Sequence, residues 1–314
     1  MLRYTIKRIL SLIPVLFVAL VLTFTALQFV PGDPILTLLS DQSGNKELEN
    51  RLRAEYGLDK PVLERFQNYL SGVLKGDFGL SYRFASKPVG EILAPSLKIS
   101  PVLALSALLI AIPLGIFFGI IQALHRNTWL DSGIILLLVA GISIPNFAMA
   151  TFLVYFLAIK ASLLPVAGWG EVRHIILPML VLCVPPIAYI ARLTRTYMLE
   201  ILQQDYIRTA RAKGLRQRLV IYRHALRNAL IPTLTTIGII FGGLLSGTFI
   251  VETMFNIPGL GSLAIESIFA RDYPVTMAIV LLFTLFYSVI NLLVDTLYAI
   301  IDPRVRLGAE RADR

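Results

Sequence analysis

The chain has 314 residues, of which 56% are hydrophobic and only 16% charged, and it carries a net charge of +9. Soluble domains are about half apolar and about a quarter charged, so a water-soluble globule is excluded unless the apolar residues are dispersed. They are gathered instead into six runs free of charged residues, and the lone Cys183 excludes an internal disulfide framework.

In chain order the runs are Ile9–Val30, Ile99–Leu124, Ser132–Ile159, Ile175–Ala191, Ala229–Val251 and Val275–Val294. At a rise of about 1.5 Å per residue, about 20 residues cross the hydrocarbon core, so the pattern predicts six transmembrane helices. The fourth run is short, and His174 and Arg192 at its ends extend it by snorkelling. Arg3, Lys7 and Arg8 ahead of the first run resemble a signal peptide. That run is too long for an h-region and ends in Pro31-Gly32-Asp33-Pro34 rather than a cleavage site, which predicts a retained helix.

Loop charge sets the orientation, because Lys and Arg are held on the cytoplasmic side of short loops. With the N-terminus inside, segments 1–8, 125–131, 192–228 and 302–314 hold seventeen of the 29 Lys and Arg, against three in the short outer segments 160–174 and 252–274. Both termini are therefore expected in the cytoplasm. The basic excess is an orientation signal; aromatic residues interleaved for base stacking are missing, so no nucleic-acid partner is expected.

Between the first two runs, residues 31–98 form the one sizeable outer segment. Its pattern predicts two short amphipathic helices, about Lys46–Tyr56 and Pro61–Val73, making a small cap. Within the spans, Pro113, Pro145, Pro178, Pro185 and Pro186 interrupt helices, with Pro185-Pro186 expected to break or kink the fourth. Lipid tolerates a break only where protein or a water-lined cavity satisfies the freed carbonyls, so these prolines point to a pathway. Gly115-x-x-x-Gly119, Gly238-x-x-x-Gly242 and Gly243-x-x-x-Gly247 read as close-packing faces.

Bond chemistry finds no support. His125, His174 and His224 lie in loops, and neither a metal-binding HExxH nor a nucleophile-elbow motif occurs. Asp295 and Glu252 flank spans and are read as interfacial, which leaves an ion-coupled secondary transporter as the weaker alternative. No phosphate-cradling G-x-x-x-x-G-K-[ST] loop occurs, so any nucleotide must be bound by another polypeptide.

Segment 192–228 is longer than a connection requires. It predicts a short helix with Asp205 as N-cap and Gly214 as a left-handed stop, then a second helix from about Arg216 to Asn228 feeding the fifth span near Pro232. Tyr206, Ile207 and Ala210 give the short helix a small greasy face, expected to seek a groove on a partner or to lie on lipid headgroups.

This stretch resembles the cytoplasmic Glu-Ala-Ala loop of binding-protein-dependent ABC importer permeases in the form of the dipeptide/oligopeptide/nickel family. The residues that carry it are Arg-Thr-Ala-Arg-Ala-Lys-Gly at 208–214 and Arg-His-Ala-Leu-Arg-Asn-Ala-Leu-Ile-Pro at 223–232. Arg208 and Thr209 replace the Glu and Ala of the general motif, while Ala210 and Gly214 are kept. Further blocks are similar to that family: Pro31-Gly32-Asp33-Pro34, Gly76-Asp77-Phe78-Gly79 with Ser81, Pro258-Gly259-Leu260-Gly261, Arg271-Asp272-Tyr273-Pro274 and Asp295-x-x-Tyr298-x-x-x-Asp302-Pro303-Arg304.

The resemblance implies an all-α polytopic membrane protein with the type I ABC importer permease fold. Its parts would be a first helix (1–30), a helical extracytoplasmic segment (31–98), a five-helix core (99–301) and a cytoplasmic tail (302–314). It implies a B-type permease subunit in the inner membrane of a prokaryote, surrounded by lipid and carrying short peptides, with nickel chelates or glutathione as alternatives. Implied partners are a second, C-type permease, two ATPase subunits or domains, and an extracytoplasmic solute-binding protein. The chain itself would hold no cofactor, ATP and Mg being bound by the ATPase. Asp205, Tyr206, Ile207, Arg208, Thr209, Ala210, Arg211, Ala212, Lys213 and Gly214 would couple to the ATPase. Pro145, Asn146, Pro185, Pro186, Gly242, Gly243, Pro258 and Gly259 are expected at the pathway or its gates.

Overall fold

A computed structural model describes residues 2–39, 46–84 and 87–301. Among them the chain is helical, with a single isolated bridge between Leu80 and Pro88. The helices are α1 (Leu2–Gln28), α2 (Pro34–Leu39), α3 (Lys46–Glu55), α4 (Val62–Leu74), α5 (Val89–Leu124), α6 (Trp129–Ser143) and α7 (Asn146–Leu153). They continue with α8 (Val172–Leu202), α9 (Asp205–Ala212), α10 (Gln217–Leu219), α11 (Arg227–Gly247), α12 (Phe249–Met254), α13 (Leu260–Phe269) and α14 (Tyr273–Ile301). Two π-helical turns, Val154–Lys160 and Val220–Leu226, extend α7 and lead into α11.

Five helical stretches are long and apolar enough to cross a membrane: Arg8–Gln28, Val89–Leu124, Val172–Leu202, Gln217–Ser246 and Tyr273–Val294. The third apolar run supplies a sixth crossing only as a broken one, Trp129–Ser143 and Asn146–Lys160 meeting at 97°. Proline chemistry explains the break. Ile144 precedes Pro145 and is driven to extended backbone (φ −82°, ψ 118°), while Pro145 opens α7 at φ −57°. The expected break at Pro185-Pro186 does not occur. α8 runs unbroken through Pro178, Pro185 and Pro186, and α5 through Pro113. Packing on α6, α7 and α11 holds α8 helical despite the lost amide donors.

The described residues divide into two compact units. The first comprises Met1–Pro101 and Asn256–Phe286. Its core joins Val89 and Leu93 of α5 to Leu260 and Leu263 of α13 and to Val275, Ala278 and Ile279 of α14. Three blocks distant in sequence meet here. The buried Asp272 carboxylate accepts hydrogen bonds from the Ser81 hydroxyl, from the Tyr82 amide at 3.2 Å and from the Arg83 amide at 3.3 Å. The Arg271 guanidinium lies on Gly32, where a Cβ would come within 2.5 Å of it, and Asp33 pairs with Arg53. Tyr82 packs between Tyr56 and Tyr273, with ring centroids 4.8 and 6.1 Å away. α3 and α4 fall where the hydrophobic pattern of the outer segment predicts them.

The second unit comprises the described residues of Val102–Phe255 and Tyr287–Arg314. α5 crosses α8 closely because Gly115 lies on Ile190 and Gly119 on Thr194. Gly238 and Gly242 are likewise covered by Val294 and Tyr287 of α14. Gly243 faces open space, so that motif forms no packing face at this residue within the chain. The surroundings of Gly247, the side chain of Asp295, and residues 302–314 with the end of the last sequence block lie outside the described set.

Two substitutions test these contacts. Gly119→Leu overfills the α5–α8 crossing and should cost about 1–3 kcal/mol, read as a lower melting temperature of the detergent-solubilised chain. Asp272→Asn presents an amide donor where hydroxyl and backbone donors converge. A loss of about 1–3 kcal/mol and faster proteolysis between Gly76 and Phe84 are expected.

Candidate coupling site and pathway elements

α8 ends at Leu202, and Gln203-Gln204 joins it to α9. Gln204, not Asp205, holds the N-cap position. Its backbone is extended (φ −70°, ψ 149°), and its carbonyl accepts the amides of Ile207 and Arg208 at 3.1 and 3.3 Å. The two-residue link leaves no room for a further cap, so Asp205 becomes the first helical residue. Its carboxylate lies 3.4 Å from Arg208 one turn on, and as an acid in the first turn it suits the helix dipole.

The other end matches expectation. Gly214 adopts φ +73° and the Leu215 amide reaches back to the Ala210 carbonyl at 3.3 Å, a Schellman closure. The second predicted helix forms as α10, the π turn and α11 in one rod, with Pro232 inside it rather than at its start.

The greasy face of α9 is not left for a partner. Ile207 and Ala210 are buried in the chain's own cluster with Met198 of α8, Val220, Ile221 and Ala225 of the π turn, and Ala229 of α11. An eight-residue helix is unstable alone, and burying one Ile contributes about 1.5–3 kcal/mol, so α9 is held by its neighbours. Tyr206, half exposed, accepts a hydrogen bond from Asn228 Nδ2 at 3.0 Å. The outward face carries Asp205, Arg208, Thr209, Arg211, Ala212, Lys213 and Gly214, all exposed. The free surface is thus polar and cationic rather than greasy.

The residues expected at the pathway or its gates fall in different places. Pro145 and Asn146 form the bend before α7, and α7 packs against α8, which carries the half-buried Pro185 and the buried Pro186. Gly242 is covered by Tyr287, whereas Gly243 is exposed. Pro258 and Gly259 belong to the first unit, in a tight turn clamped to α5. Ser96 Oγ donates to the Pro258 carbonyl at 3.0 Å, and the Leu260 amide donates to Ser100 Oγ at 2.8 Å.

Sequence reasoning missed the strongest polar contact of the second unit. Arg195 of α8 grips Asp131 of α6 in bidentate fashion, Nε to Oδ1 at 3.0 Å and Nη2 to Oδ2 at 2.7 Å. Thr128-x-x-Asp131 announces only the local cap of α6, in which Thr128 accepts the Asp131 amide and Asp131 accepts the Asn127 amide at 3.1 Å; it does not announce Arg195. Glu252, read as interfacial at the end of its span, is fully buried within the protein and accepts the Thr248 hydroxyl at 2.7 Å. Among the described residues no group of His, Cys, Asp and Glu is arranged to hold a metal.

Comparison with known proteins assigns the family. Residues 111–307 match the model of the binding-protein-dependent transport system inner membrane component, and residues 1–100 match the N-terminal model of such membrane components. The chain is 42% identical over 306 residues to the glutathione transport system permease protein GsiC of Shigella flexneri serotype 5b, covering 98% of this chain and 99% of that one. It is 42% identical over 311 residues to the dipeptide transport system permease protein DppB of Bacillus subtilis, with the same coverage. In fold it is similar to a chain of the inward-facing MetNI methionine ABC transporter, with a TM-score of 0.60 at 16% identity, covering 69% of this chain and 99% of that one. The ion-coupled alternative is set aside by this kinship, and the chain belongs to the inner membrane components of binding-protein-dependent transport systems, a multi-pass permease subunit of an ABC importer rather than an enzyme.

Proposed function

We propose that this permease forms half of a translocation pathway for short peptides, beside a second, homologous C-type subunit. An extracytoplasmic binding protein delivers the peptide, and two ATPase subunits or domains drive the cycle from the cytoplasm of a prokaryotic cell. The near full-length identity to a dipeptide permease and a glutathione permease carries the peptide reading, since glutathione is itself a tripeptide. In this reading both termini lie in the cytoplasm, an orientation that the Lys and Arg distribution supports.

In this reading α9 is the coupling element. Because Ile207 and Ala210 are rooted among residues of α8 and α11, a pull on the outward face of α9 moves both helices rather than unseating a loose loop. Arg208, Arg211 and Lys213 on that face suit a partner groove lined with acidic groups. ATP shifts the equilibrium only if it binds one state of the assembly more tightly, so closure of the ATPases must favour the outward-facing pathway. The bend at Pro145-Asn146 and the paired prolines of α8 border the pathway, and the turn at Pro258-Gly259 belongs to its outer gate.

Affinity capture of the tagged chain from its native membrane should recover an ATPase, and a captured complex without one overturns the coupling reading. Gly214→Val forces a β-branched residue to φ +73° at about 1 kcal/mol or more, although a Cβ meets no atom within 4 Å. Labelled-dipeptide uptake should fall several-fold in Gly214→Val yet stay near normal in Gly214→Asn, because Asn visits the left-handed region. Equal uptake by the two variants counts against the docking of α9. Competition of that uptake by unlabelled dipeptides, but not by nickel chelates, is the expected substrate profile.

A further inference from the structure

The first unit encloses a cavity of about 420 Å³ that the coupling reading does not use. Its walls are the end of α1 at Phe24, Leu27 and Gln28, the α4 face bearing Arg65 and Tyr69, and the rings of Tyr82 and Tyr273. The Arg65 guanidinium donates to the Gln28 amide oxygen at 3.4 Å, and among the described residues no carboxylate forms an ion pair with it. Lys60, by contrast, is engaged by Glu64 at 2.9 Å. The Tyr69 hydroxyl is buried and has no hydrogen-bond partner, and burial raises its pKa so that it stays a neutral donor. Glu55 and Asp77 bring negative charge to the same cavity.

Beside it runs an apolar groove of about 340 Å³ between α1 and α4, lined by Val21, Phe24, Thr25, Val62, Leu63 and Phe66. Phe24 stands in the wall of both. Val62 and Leu63 are 52% and 68% exposed, so the groove is open along its length.

We propose that cavity and groove together hold one zwitterionic phospholipid of the ethanolamine class. Arg65 donates to its phosphate oxygens, its ammonium lies among the tyrosine rings and carboxylates, and one acyl chain follows the groove past Phe24. A polar chamber sharing a wall with an apolar channel has the shape of an amphiphile. The end of α1 and the start of α14 are the depth at which lipid phosphates sit. Opposite charges in one cavity match a zwitterion better than an anion, and ring faces attract an ammonium. A short peptide would use the chamber and leave the groove empty. Only the leaflet, extracytoplasmic, rests on the orientation proposed above; the binding does not.

Native mass spectrometry of the full chain, washed in mild detergent, should find about one phosphatidylethanolamine retained per chain. In Arg65→Gln and in Leu63→Trp, which fills the groove at an exposed position, the retained fraction should fall about tenfold. Monodisperse elution of each variant establishes that it is folded. Gly214→Val should retain the lipid as wild type does, which separates failure of this site from failure of coupling. The proposal is overturned if no lipid is retained or if the variants hold it equally. It also fails if phosphatidylcholine or phosphatidylglycerol is held as well from an equal mixture, or if millimolar inorganic phosphate or alanyl-phenylalanine displaces it.

Discussion

One end of the second unit is organised by the burial of two apolar side chains of α9. An eight-residue helix in water unfolds, because the few hydrogen bonds it closes do not offset the entropy of fixing its backbone. α9 persists because Ile207 and Ala210 fill a pocket made by Met198, Val220, Ile221 and Ala225. The same contact that makes the helix stable fastens it to the two longest rods of the second unit. The burial that keeps α9 helical also fixes its position, and its charged outer face stays exposed.

A related economy operates in the first unit. The buried Asp272 carboxylate is made tolerable by three donors from the 81–83 turn. One carboxylate thereby fixes a loop about 190 residues earlier in the chain to the start of α14. The neighbouring Arg271 is packed on Gly32, a residue at φ +102° that no side chain could replace without displacing the guanidinium. Short motifs that look unrelated in the sequence are the two sides of single contacts.

How much of this was legible beforehand depended on the range of the interaction. Apolar runs report burial in lipid directly, so the spans, the two cap helices and the Gly214 stop followed from local pattern. Proline was misread where packing outweighs it: the same residue type breaks the chain at Pro145, beside an extended Ile144, and is absorbed at Pro185-Pro186 by neighbours on three helices. The greasy face of α9 was visible, but its destination was not, since hydrophobic periodicity says that a face is buried and not by whom. The Asp131–Arg195 grip and the serine clamp on Pro258 join positions 64 and 162 residues apart, and nothing local announces such pairs.

The π turn at Val220–Leu226 adds a wider consequence. A helix wound with one surplus residue advances its azimuth by about 100° relative to the regular ladder. Which flank of α11 addresses the bilayer interior, and which of its residues meet α9, are therefore indexed separately, like two dials on one shaft joined by an offset gear. Moving that surplus residue would turn the far length of α11 to a new azimuth while leaving in place the residues that bury α9.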